Sequence, residues 1–364
     1  MAEKKRRFAV LTGGGDCPGL NAVIRAVIKT FLQNDCEVFG IYNGFNGLIN
    51  GNLKLMNYAD VSGILPRGGT ILGTTNRDNP FKFAVEENGE LVYYDMRDKV
   101  VENLQKHDIE ALVVIGGDGS LNIGAKLARE CGIKVVGVPK TIDNDLPCTE
   151  RTFGFDTAVA MATEAVDRLH TTAESHHRVM ALEVMGRYAG WIALHSGIAG
   201  GADVILIPEI PYDIDSIIKK IEDRKEKGKD FSIVVVAEGA KPIGGELSVA
   251  RVVKGSFEPI RLGGAGEKLV REIEERTGIE SRCTVLGYLQ RGGSPSSYDR
   301  ILSTRYGVAA AEACLRGEYN VMVSLENDQI VTVYIQKAAS SPRLVPVDSE
   351  IIRTGRQIGI CFGD

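Results

Sequence analysis

Two carboxylates, Asp143 and Asp145, lie two positions apart in the segment PKTIDND (139–145). The segment follows the apolar run 134–138, which is typical of a buried parallel strand. In an open α/β sheet, ligands bind beyond the carboxyl ends of the strands, so these carboxylates are expected where a substrate would sit. Because Asp and Asn also bond their own backbone, a plain turn is the alternative interpretation of these residues taken alone.

Two glycine-rich turns upstream also lie at predicted strand ends. The first, TGGGDCPG (12–19), precedes a helix, where backbone amides can approach a phosphate and the helix start favours an anion. It lacks the Lys-Ser/Thr of a P-loop and the spacing of a dinucleotide fingerprint, and tight packing is its alternative explanation. The second, GGDGS (116–120), places Asp118 where a carboxylate can reach Mg²⁺ carried by a nucleotide. Ser120 is suited either to cap the next helix or to contact a phosphate.

The elements that must position these turns are predicted by apolar runs that alternate with helical patterns along the chain. This order implies mostly parallel, doubly wound sheets. The predicted strands cover 8–11, 37–42, 111–115, 134–138, 178–184, 203–207, 232–237 and 281–286. The predicted helices cover 21–33, 120–130, 157–171, 190–199, 213–227 and 266–276.

The composition limits the class of protein. A chain of 364 residues, 44% hydrophobic and 25% charged, predicts a soluble globular protein of two domains. A net charge of −5 argues against nucleic acid as the main partner. Seven scattered cysteines without a CxxC pair predict reduced thiols in a cytoplasmic protein, with neither disulfides nor a zinc site. No apolar stretch approaches the roughly 18 residues of a membrane span, so no membrane partner is expected.

The three turns, in this order and at these separations, resemble the 6-phosphofructokinase family. The resemblance continues in MGR (185–187), AEG (237–239) and TVLGYLQRGG (284–293), and it covers nearly the whole chain. It implies an α/β protein of two similar α/β/α Rossmann-like domains with mostly parallel sheets. It also implies Mg²⁺-dependent transfer of the terminal phosphoryl of a donor to the 1-hydroxyl of fructose 6-phosphate, a step of glycolysis.

The same resemblance implies how the chain is divided. The phosphoryl-donor domain would comprise 1–153 and about 291–340, and the sugar-phosphate domain 154–290 and about 341–364. In this family Arg178 and Arg282 commonly come from a neighbouring subunit, so a homodimer or homotetramer with shared active sites is expected. Arg25 and Glu209 match the family's effector site, whereas the places near Lys29 and His170 carry weaker or different groups, so control by ADP and phosphoenolpyruvate is expected to be altered or weak.

Roles for single residues follow from the resemblance. Asp143 resembles the base that takes the 1-hydroxyl proton, and Thr141 and Arg187 complete the expected catalytic set. Asp118 resembles the metal-side carboxylate, and Asp145 would hold the sugar and help order the metal. The expected nucleotide set is Gly15, Arg77, Asp78, Gly117, Asp118, Gly119 and Ser120, with Phe45 lying along the nucleotide. The expected sugar-contact set is Thr141, Asp143, Asp145, Met185, Gly186, Arg187 and Glu238, and the expected 6-phosphate pocket is Arg178, Arg282, Arg291 and Tyr288.

The arginines of the expected 6-phosphate pocket are chemically suited to that role, because a planar guanidinium can donate two parallel hydrogen bonds to a phosphate dianion. Judged alone, each arginine would be a surface ion-pair partner, and Glu238 would be an ion-paired or helix-capping carboxylate. The phosphofructokinase-like motifs therefore carry the assignment, and the residue types are compatible with it.

Two positions bear on the phosphoryl donor, and they point in different directions. At position 119, pyrophosphate-using relatives usually carry Asp, whose charge would lie where a nucleotide α-phosphate must sit; Gly119 leaves that space open. At position 140, pyrophosphate-dependent enzymes carry Lys and common bacterial ATP-dependent ones Gly. Because Lys140 is compatible with either donor, ATP is predicted. The alternatives are pyrophosphate-dependent transfer and, more remotely, a non-catalytic sugar-phosphate or nucleotide sensor; the absent GxGxxG motif argues against an oxidoreductase.

Overall fold

The computed structural model describes residues 4–253, 260–338 and 341–364, so 1–3, 254–259 and 339–340 of the predicted domains lie outside the described residues. The strands are β1 (Arg7–Thr12), β2 (Glu37–Ile41), β3 (Leu53–Leu55), β4 (Phe83–Glu87), β5 (Glu90–Tyr94), β6 (Ala111–Gly116), β7 (Val135–Pro139), β8 (Val179–Val184), β9 (Val204–Leu206), β10 (Ser232–Ala237), β11 (Val249–Val252), β12 (Ile260–Leu262), β13 (Ser281–Val285), β14 (Val321–Glu326) and β15 (Gln329–Tyr334). The helices are α1 (Leu20–Gln33), α2 (Gly44–Asn50), α3 (Arg97–Lys106), α4 (Asp118–Cys131), α5 (Phe155–His176), α6 (Trp191–Ala199), α7 (Ile214–Glu226), α8 (Ala265–Thr277), α9 (Ser297–Arg316), α10 (Ile335–Ala338) and α11 (Glu350–Gln357).

The larger sheet has seven strands in the order β15-β14-β7-β6-β1-β2-β3. Its five central strands are parallel, and the edge strands β15 and β3 run antiparallel to their neighbours. Successive side chains point to opposite faces, so Phe8 and Val10 enter one core and Ala9 and Leu11 the other. Both faces are covered, which explains why these strands read as continuous apolar runs.

The smaller sheet has four parallel strands in the order β13-β8-β10-β9. Along β8, Met180 and Leu182 belong to the core that also fills one face of the larger sheet, whereas Val179 and Ala181 face a separate core with α7 and α8. The chain end returns to this sheet, since Cys361 forms a parallel bridge with Val204. A shared core therefore holds the two sheets together.

All eight predicted strands and all six predicted helices are present, and the α/β class is confirmed. The largest shift is at α5, which continues five residues past its predicted end to His176. The most extensive omission is α9, a helix of 20 residues. It buries Tyr306 and Asp299 as well as small residues on several sides, so it lacks the single apolar stripe that identifies an amphipathic helix. The antiparallel pairs β4–β5, β11–β12 and β14–β15 are also absent from the predicted elements.

The division into two domains stays a prediction. β14 and β15 lie in the larger sheet although they follow every strand of the smaller one, which accords with a first domain that resumes late in the chain. All seven cysteines are unpaired. Within the described ranges, no helix combines the length and the apolar character that crossing a membrane would need.

Candidate active site

A cleft of about 1180 Å³ opens at the carboxyl ends of strands from both sheets. Its walls come from the residues that follow β1, β6 and β7 in the larger sheet and β8, β10 and β13 in the smaller one. This is where ligands bind in open α/β sheets. The predicted site residues that line it are Gly15, Arg77, Gly117, Asp118, Gly119, Ser120, Lys140, Thr141, Asp143, Asp145, Met185, Arg187, Glu238, Tyr288 and Arg291.

The two glycine-rich turns interlock at the cleft floor. The Gly13 amide donates to the Ile115 carbonyl at 2.9 Å, which joins the ends of β1 and β6. A Cβ on Gly13 would lie 2.5 Å from Ser120 Oγ, and a Cβ on Gly116 would overlap the Ser120 side chain. The N-cap of α4 is Gly117, so the interpretation of Ser120 as a helix cap is wrong. Ser120 instead fills the space that the two glycines leave.

The start of α4 faces open space. Gly119 is the second residue of the helix, and a Cβ built on it would meet nothing within 4 Å. Backbone amides at a helix start carry partial positive charge and favour an anion. The structure therefore leaves at this position the room that the sequence analysis expects for a nucleotide phosphate.

Two cationic side chains hold the first turn from the side of the cleft. Lys140 is buried, its Nζ donates to the Gly15 carbonyl oxygen, and burial lowers its pKa. Arg291 Nη1 donates to the Asp16 carbonyl oxygen at 3.2 Å. Because both residues line the cleft, their charges also face any anion that enters it.

The turn after β7 fixes Asp143 through its backbone and leaves its carboxylate unsatisfied. The Asp143 amide donates to Thr141 Oγ1 at 3.0 Å, and Asn144 Oδ1 accepts from the Thr152 amide at 3.0 Å. Asn144 adopts the left-handed region, with φ 53°. Asp143 is only 4% exposed, and its Oδ1 has no hydrogen-bond partner among the described residues. Buried polar atoms are normally paired, so an unpaired carboxylate oxygen on a residue that lines a cleft needs an explanation, and a ligand beside Asp143 is one.

Carboxylates in the cleft raise one another's pKa. Burial raises the pKa of Asp145 to about 7, and the nearby charges of Asp143 and Asp118 act in the same direction. Burial also raises the pKa of Glu238 to about 7, and the negative charge of Asp143 is the second cause. Like charges in a low-dielectric site disfavour ionisation in this way, and a cation would relieve it.

The residues present fit a magnesium ion that arrives with a phosphorylated substrate. In the described part of the chain, no three or more His, Cys, Asp or Glu side chains form a ready-made metal cage. Mg²⁺ usually takes only one or two protein carboxylates and completes its coordination with water and substrate phosphates. Asp118 and Asp143 both line the cleft, and one oxygen of Asp143 has no hydrogen-bond partner among the described residues. Asp118 could therefore serve as the protein carboxylate, and the added positive charge would be favourable beside Asp143.

The sugar-side turn after β8 is shaped by two unusual backbone conformations. Gly186 has φ 141°, and a Cβ on it would lie 2.5 Å from the Ala189 carbonyl oxygen, so only glycine fits. Arg187 has φ 53°, and its amide donates to Glu238 Oε1 at 3.0 Å. This hydrogen bond joins the ends of β8 and β10 at the cleft wall.

Two predicted 6-phosphate residues lie away from the cleft of their own chain. Arg178 precedes β8 and pairs with Glu280 at 2.7 Å, and Arg282 pairs with Glu274 at 3.1 Å near the start of β13. Both therefore lie at the amino ends of strands whose carboxyl ends form the cleft. Tyr288, in contrast, lies at the cleft and is 67% exposed.

Four other expected residues also lie outside the cleft lining. Asp78 accepts a hydrogen bond from Thr75 Oγ1, and Phe45 is buried in the core beside the larger sheet. Gly186 shapes its turn without lining the cleft. Glu209, from the expected effector site, is committed to backbone amides: Oε1 accepts from Gly190 and Val345 at 3.0 and 2.8 Å.

Glu183 lines the cleft and is buried, but it is not among the predicted site residues. Its two oxygens accept from the Gly264 and Gly266 amides at 3.0 and 2.8 Å, at the start of α8. The contact fixes the end of the β11–β12 hairpin, whose Arg251 and Arg261 also line the cleft. The available signal was a single charged residue within the apolar strand VMALEV (179–184).

A family model described as Phosphofructokinase matches residues 7–314. The chain belongs to the phosphofructokinase family. It is 53% identical over 367 residues to "ATP-dependent 6-phosphofructokinase 2" of Clostridium perfringens, covering all of both chains. It is 51% identical over 344 residues to "Pyrophosphate--fructose 6-phosphate 1-phosphotransferase" of Amycolatopsis mediterranei, covering 94% of this chain and 97% of the relative.

Among solved structures, this phosphofructokinase-family chain is similar to the T-state phosphofructokinase of Pichia pastoris, with a TM-score of 0.79 and 34% identity. The match covers 93% of this chain and 36% of the yeast chain, so this chain spans about a third of the length of that protein. The resemblance stated from the sequence motifs is thereby confirmed for family and fold.

Proposed function

We propose that the protein transfers the γ-phosphoryl of ATP to the 1-hydroxyl of fructose 6-phosphate, with Mg²⁺, and releases fructose 1,6-bisphosphate and ADP. The observation that carries the choice of donor is the open space at Gly119, beside the start of α4. The full-length similarity to a relative named as ATP-dependent supports the same donor. The seven unpaired cysteines accord with a reducing compartment, and the cytoplasm is the proposed location.

In the proposed reaction, Asp143 accepts the proton of the 1-hydroxyl as that oxygen attacks the γ-phosphorus. The bond between the γ-phosphorus and the β,γ-bridging oxygen breaks, and ADP leaves with that oxygen. Mg²⁺, held by Asp118 and the donor phosphates, would neutralise charge on the transferring group. Arg187 and Lys140 supply fixed positive charge in the cleft, which is the main protein contribution in phosphoryl transfer.

The 6-phosphate pocket is proposed to combine groups from two copies of the chain. Tyr288 and Arg291 line the cleft, whereas Arg178 and Arg282 lie at the other end of their strands. A neighbouring copy that presents those two arginines would complete the pocket. A homodimer or homotetramer is therefore part of the proposal.

A second candidate is the pyrophosphate-dependent reaction with the same sugar, favoured by Lys140 at the phosphate-binding turn and by the similar relative of that name. Initial rates with fructose 6-phosphate and Mg²⁺ decide between the two when ATP and pyrophosphate are assayed in parallel. Activity with ATP alone supports the proposed function. Activity with pyrophosphate alone shows that Lys140 dominates donor choice, and no transfer from either donor would leave the binding of a sugar phosphate or nucleotide as the function.

The role of Asp143 is tested by Asp143→Ser. We expect kcat to fall by about 10²- to 10⁴-fold, the usual contribution of a positioned general base, with sugar binding largely intact. The matched control is Asp328→Ser, at an exposed aspartate that pairs with Arg305 outside the cleft, and it should turn over like wild type. Near-native turnover by Asp143→Ser would show that another group takes the proton.

A further inference from the structure

The segment 341–345, here called the C-terminal strap, contacts the catalytic turn without lining the cleft. The Arg343 amide donates to the Asp145 carbonyl oxygen at 2.7 Å. The Arg343 guanidinium Nη1 donates to the carbonyl oxygens of Asn144 and Glu150 at 3.3 and 3.1 Å. Three backbone acceptors on one side of the turn are therefore satisfied by a single residue that lies about 200 positions away in the sequence.

The strap is also bonded to the sugar-side turn. Glu209 Oε1 accepts from Val345 at 2.8 Å and from Gly190 at 3.0 Å, and Gly190 closes the turn that begins at Met185. The Trp191 indole Nε1 donates to the Arg343 carbonyl oxygen at 2.9 Å. The Arg343 guanidinium carbon lies 4.3 Å from the centroid of a Trp191 ring, a cation–π contact.

We propose that Arg343 is a positioning residue for phosphoryl transfer, and that the C-terminal strap holds the catalytic turn in place relative to the sugar-contact turn. The proposal rests on the proposed function. The Arg343 amide is bonded to the Asp145 carbonyl, and the Val345 amide to Glu209, which also accepts from the Gly190 amide; the strap backbone between Arg343 and Val345 connects the two sets. It joins the turn that carries the base to the turn that carries the sugar contacts.

The catalytic turn needs such support because its own restraints are few. Asn144 is in a left-handed conformation, which costs free energy unless surrounding contacts enforce it. Thr141 Oγ1 accepts from the Asp143 amide, and Thr152 bonds the Asn144 side chain and donates its hydroxyl to the Thr141 carbonyl at 2.8 Å. None of these hydrogen bonds involves the carbonyl oxygens of Asn144 or Asp145. Among the residues that the structure describes, Arg343 alone is bonded to the carbonyls of both Asn144 and Asp145.

Loss of this support is expected to lower kcat more than it raises KM. A shift of the base by about 1 Å costs on the order of 10²-fold in rate, because the base must stay within hydrogen-bond reach of the attacking hydroxyl. In the proposed function, Met185, Arg187 and Glu238 line the cleft wall formed by the smaller sheet and would still contact the sugar, so KM is expected to change less than kcat. A kcat effect at nearly constant KM distinguishes positioning from a general loss of folded protein.

Trp191 is the only tryptophan in the sequence, so its fluorescence reports directly on the contact with Arg343. The test compares Arg343→Met, Arg343→Lys and the matched control Arg353→Met in the full-length chain. Arg353 is an exposed arginine of α11 that donates to the nearby Asp348 carbonyl at 2.9 Å. We measure Trp191 emission, thermal unfolding, and kcat and KM with fructose 6-phosphate and ATP at a temperature where each variant is folded.

Arg343→Met is expected to change the Trp191 emission and to lower kcat by about 10- to 100-fold, with both KM values within about threefold. Arg343→Lys keeps the positive charge but loses the planar guanidinium group, so its kcat should lie between those of Arg343→Met and wild type. Arg353→Met should match wild type in emission and kcat.

Three results would overturn the proposal. Altered emission of Arg343→Met at wild-type kcat would show that the contact exists and positions nothing. Unaltered emission and kcat would show that the contact is absent in solution. If Arg343→Met does not fold, a wild-type kcat in Arg343→Lys would show that the guanidinium group is not needed to position the turn. If the wild-type protein transfers no phosphoryl group, the proposed function itself is refuted. That result is distinguishable from an active wild type in which substitution of Arg343 has no effect on kcat.

Discussion

The space beside Gly119 makes a substitution there a direct test of the phosphoryl donor. Gly119→Asp adds a carboxylate at the second position of α4, where a Cβ meets nothing within 4 Å. The backbone at this glycine is not among the positive-φ positions, and an acidic residue in the first turn suits the helix dipole. We therefore expect Gly119→Asp to fold like wild type and to affect only what enters the cleft.

The expected magnitude follows from Coulomb's law. A carboxylate about 5 Å from a nucleotide phosphate charge, at an effective dielectric constant of about 20, is repelled by about 3 kcal/mol. That free energy corresponds to a loss of on the order of 100-fold in kcat/KM for ATP. Pyrophosphate has no α-phosphate to occupy this space, so any pyrophosphate-dependent rate should be spared.

The assay measures kcat/KM for ATP and for pyrophosphate at saturating fructose 6-phosphate, with circular dichroism to confirm folding. Gly119→Asn is the matched control, since it has the same size without the charge, and it separates electrostatic repulsion from steric obstruction. Gly119→Ala should retain activity and gain about 0.5–1 kcal/mol of stability from higher helix propensity. A Gly119→Asp variant with wild-type kcat/KM for ATP would refute the placement of the nucleotide at the start of α4.

Two further substitutions test other parts of the site. Glu238→Gln should gain stability relative to wild type as pH rises from about 4.5 to 7, by up to about 3 kcal/mol. In that range the unfolded wild-type chain releases the Glu238 proton whereas the native state keeps it, so wild type loses stability and the variant does not. Urea unfolding at pH 5 and pH 8 checks this, and a constant difference contradicts it. Gly116→Ala should lower the free energy of unfolding by about 1–3 kcal/mol, because the new Cβ overlaps the Ser120 side chain. The double variant Gly116→Ala with Ser120→Gly should recover much of that loss in the same urea experiment. No loss in the single variant would mean that the two turns are less tightly packed than described.

The parallel strands could be predicted from the sequence because both faces of each are buried. β1, β6 and β10 are continuous apolar runs bounded by glycine or charged residues, and their ends were placed within about one residue. α9 was missed because it is buried on several sides. Such a helix has no polar face opposite an apolar one, so it lacks the periodic pattern by which an amphipathic helix is predicted. The separate two-stranded hairpin β4–β5 carries the exposed residues Tyr93 and Tyr94, and it does not show the alternation of a half-buried strand.

Site residues could be predicted where a motif and a strand end coincide. The turns after β1, β6 and β7 satisfy that condition, and all three line the cleft. Glu183 and Arg343 do not, because their roles arise from contacts between segments about 80 and 200 residues apart. Nothing in local spacing indicates that an arginine near the end of the chain meets the turn that carries Asp143.

The charges of the cleft favour a substrate that brings its own cation. Asp118, Asp143, Asp145 and Glu238 face it together, and burial, with repulsion from neighbouring carboxylates second, raises the pKa of Asp145 and of Glu238 to about 7. The cations Lys140 and Arg291 are bonded to backbone carbonyls of the first turn, so their charge is fixed on the donor side. A phosphate donor without metal would add negative charge to this carboxylate cluster, whereas a magnesium-bound donor would neutralise both. The pairing of fixed cations with an unsatisfied Asp143 therefore suits transfer from a metal-bound phosphate to a neutral hydroxyl.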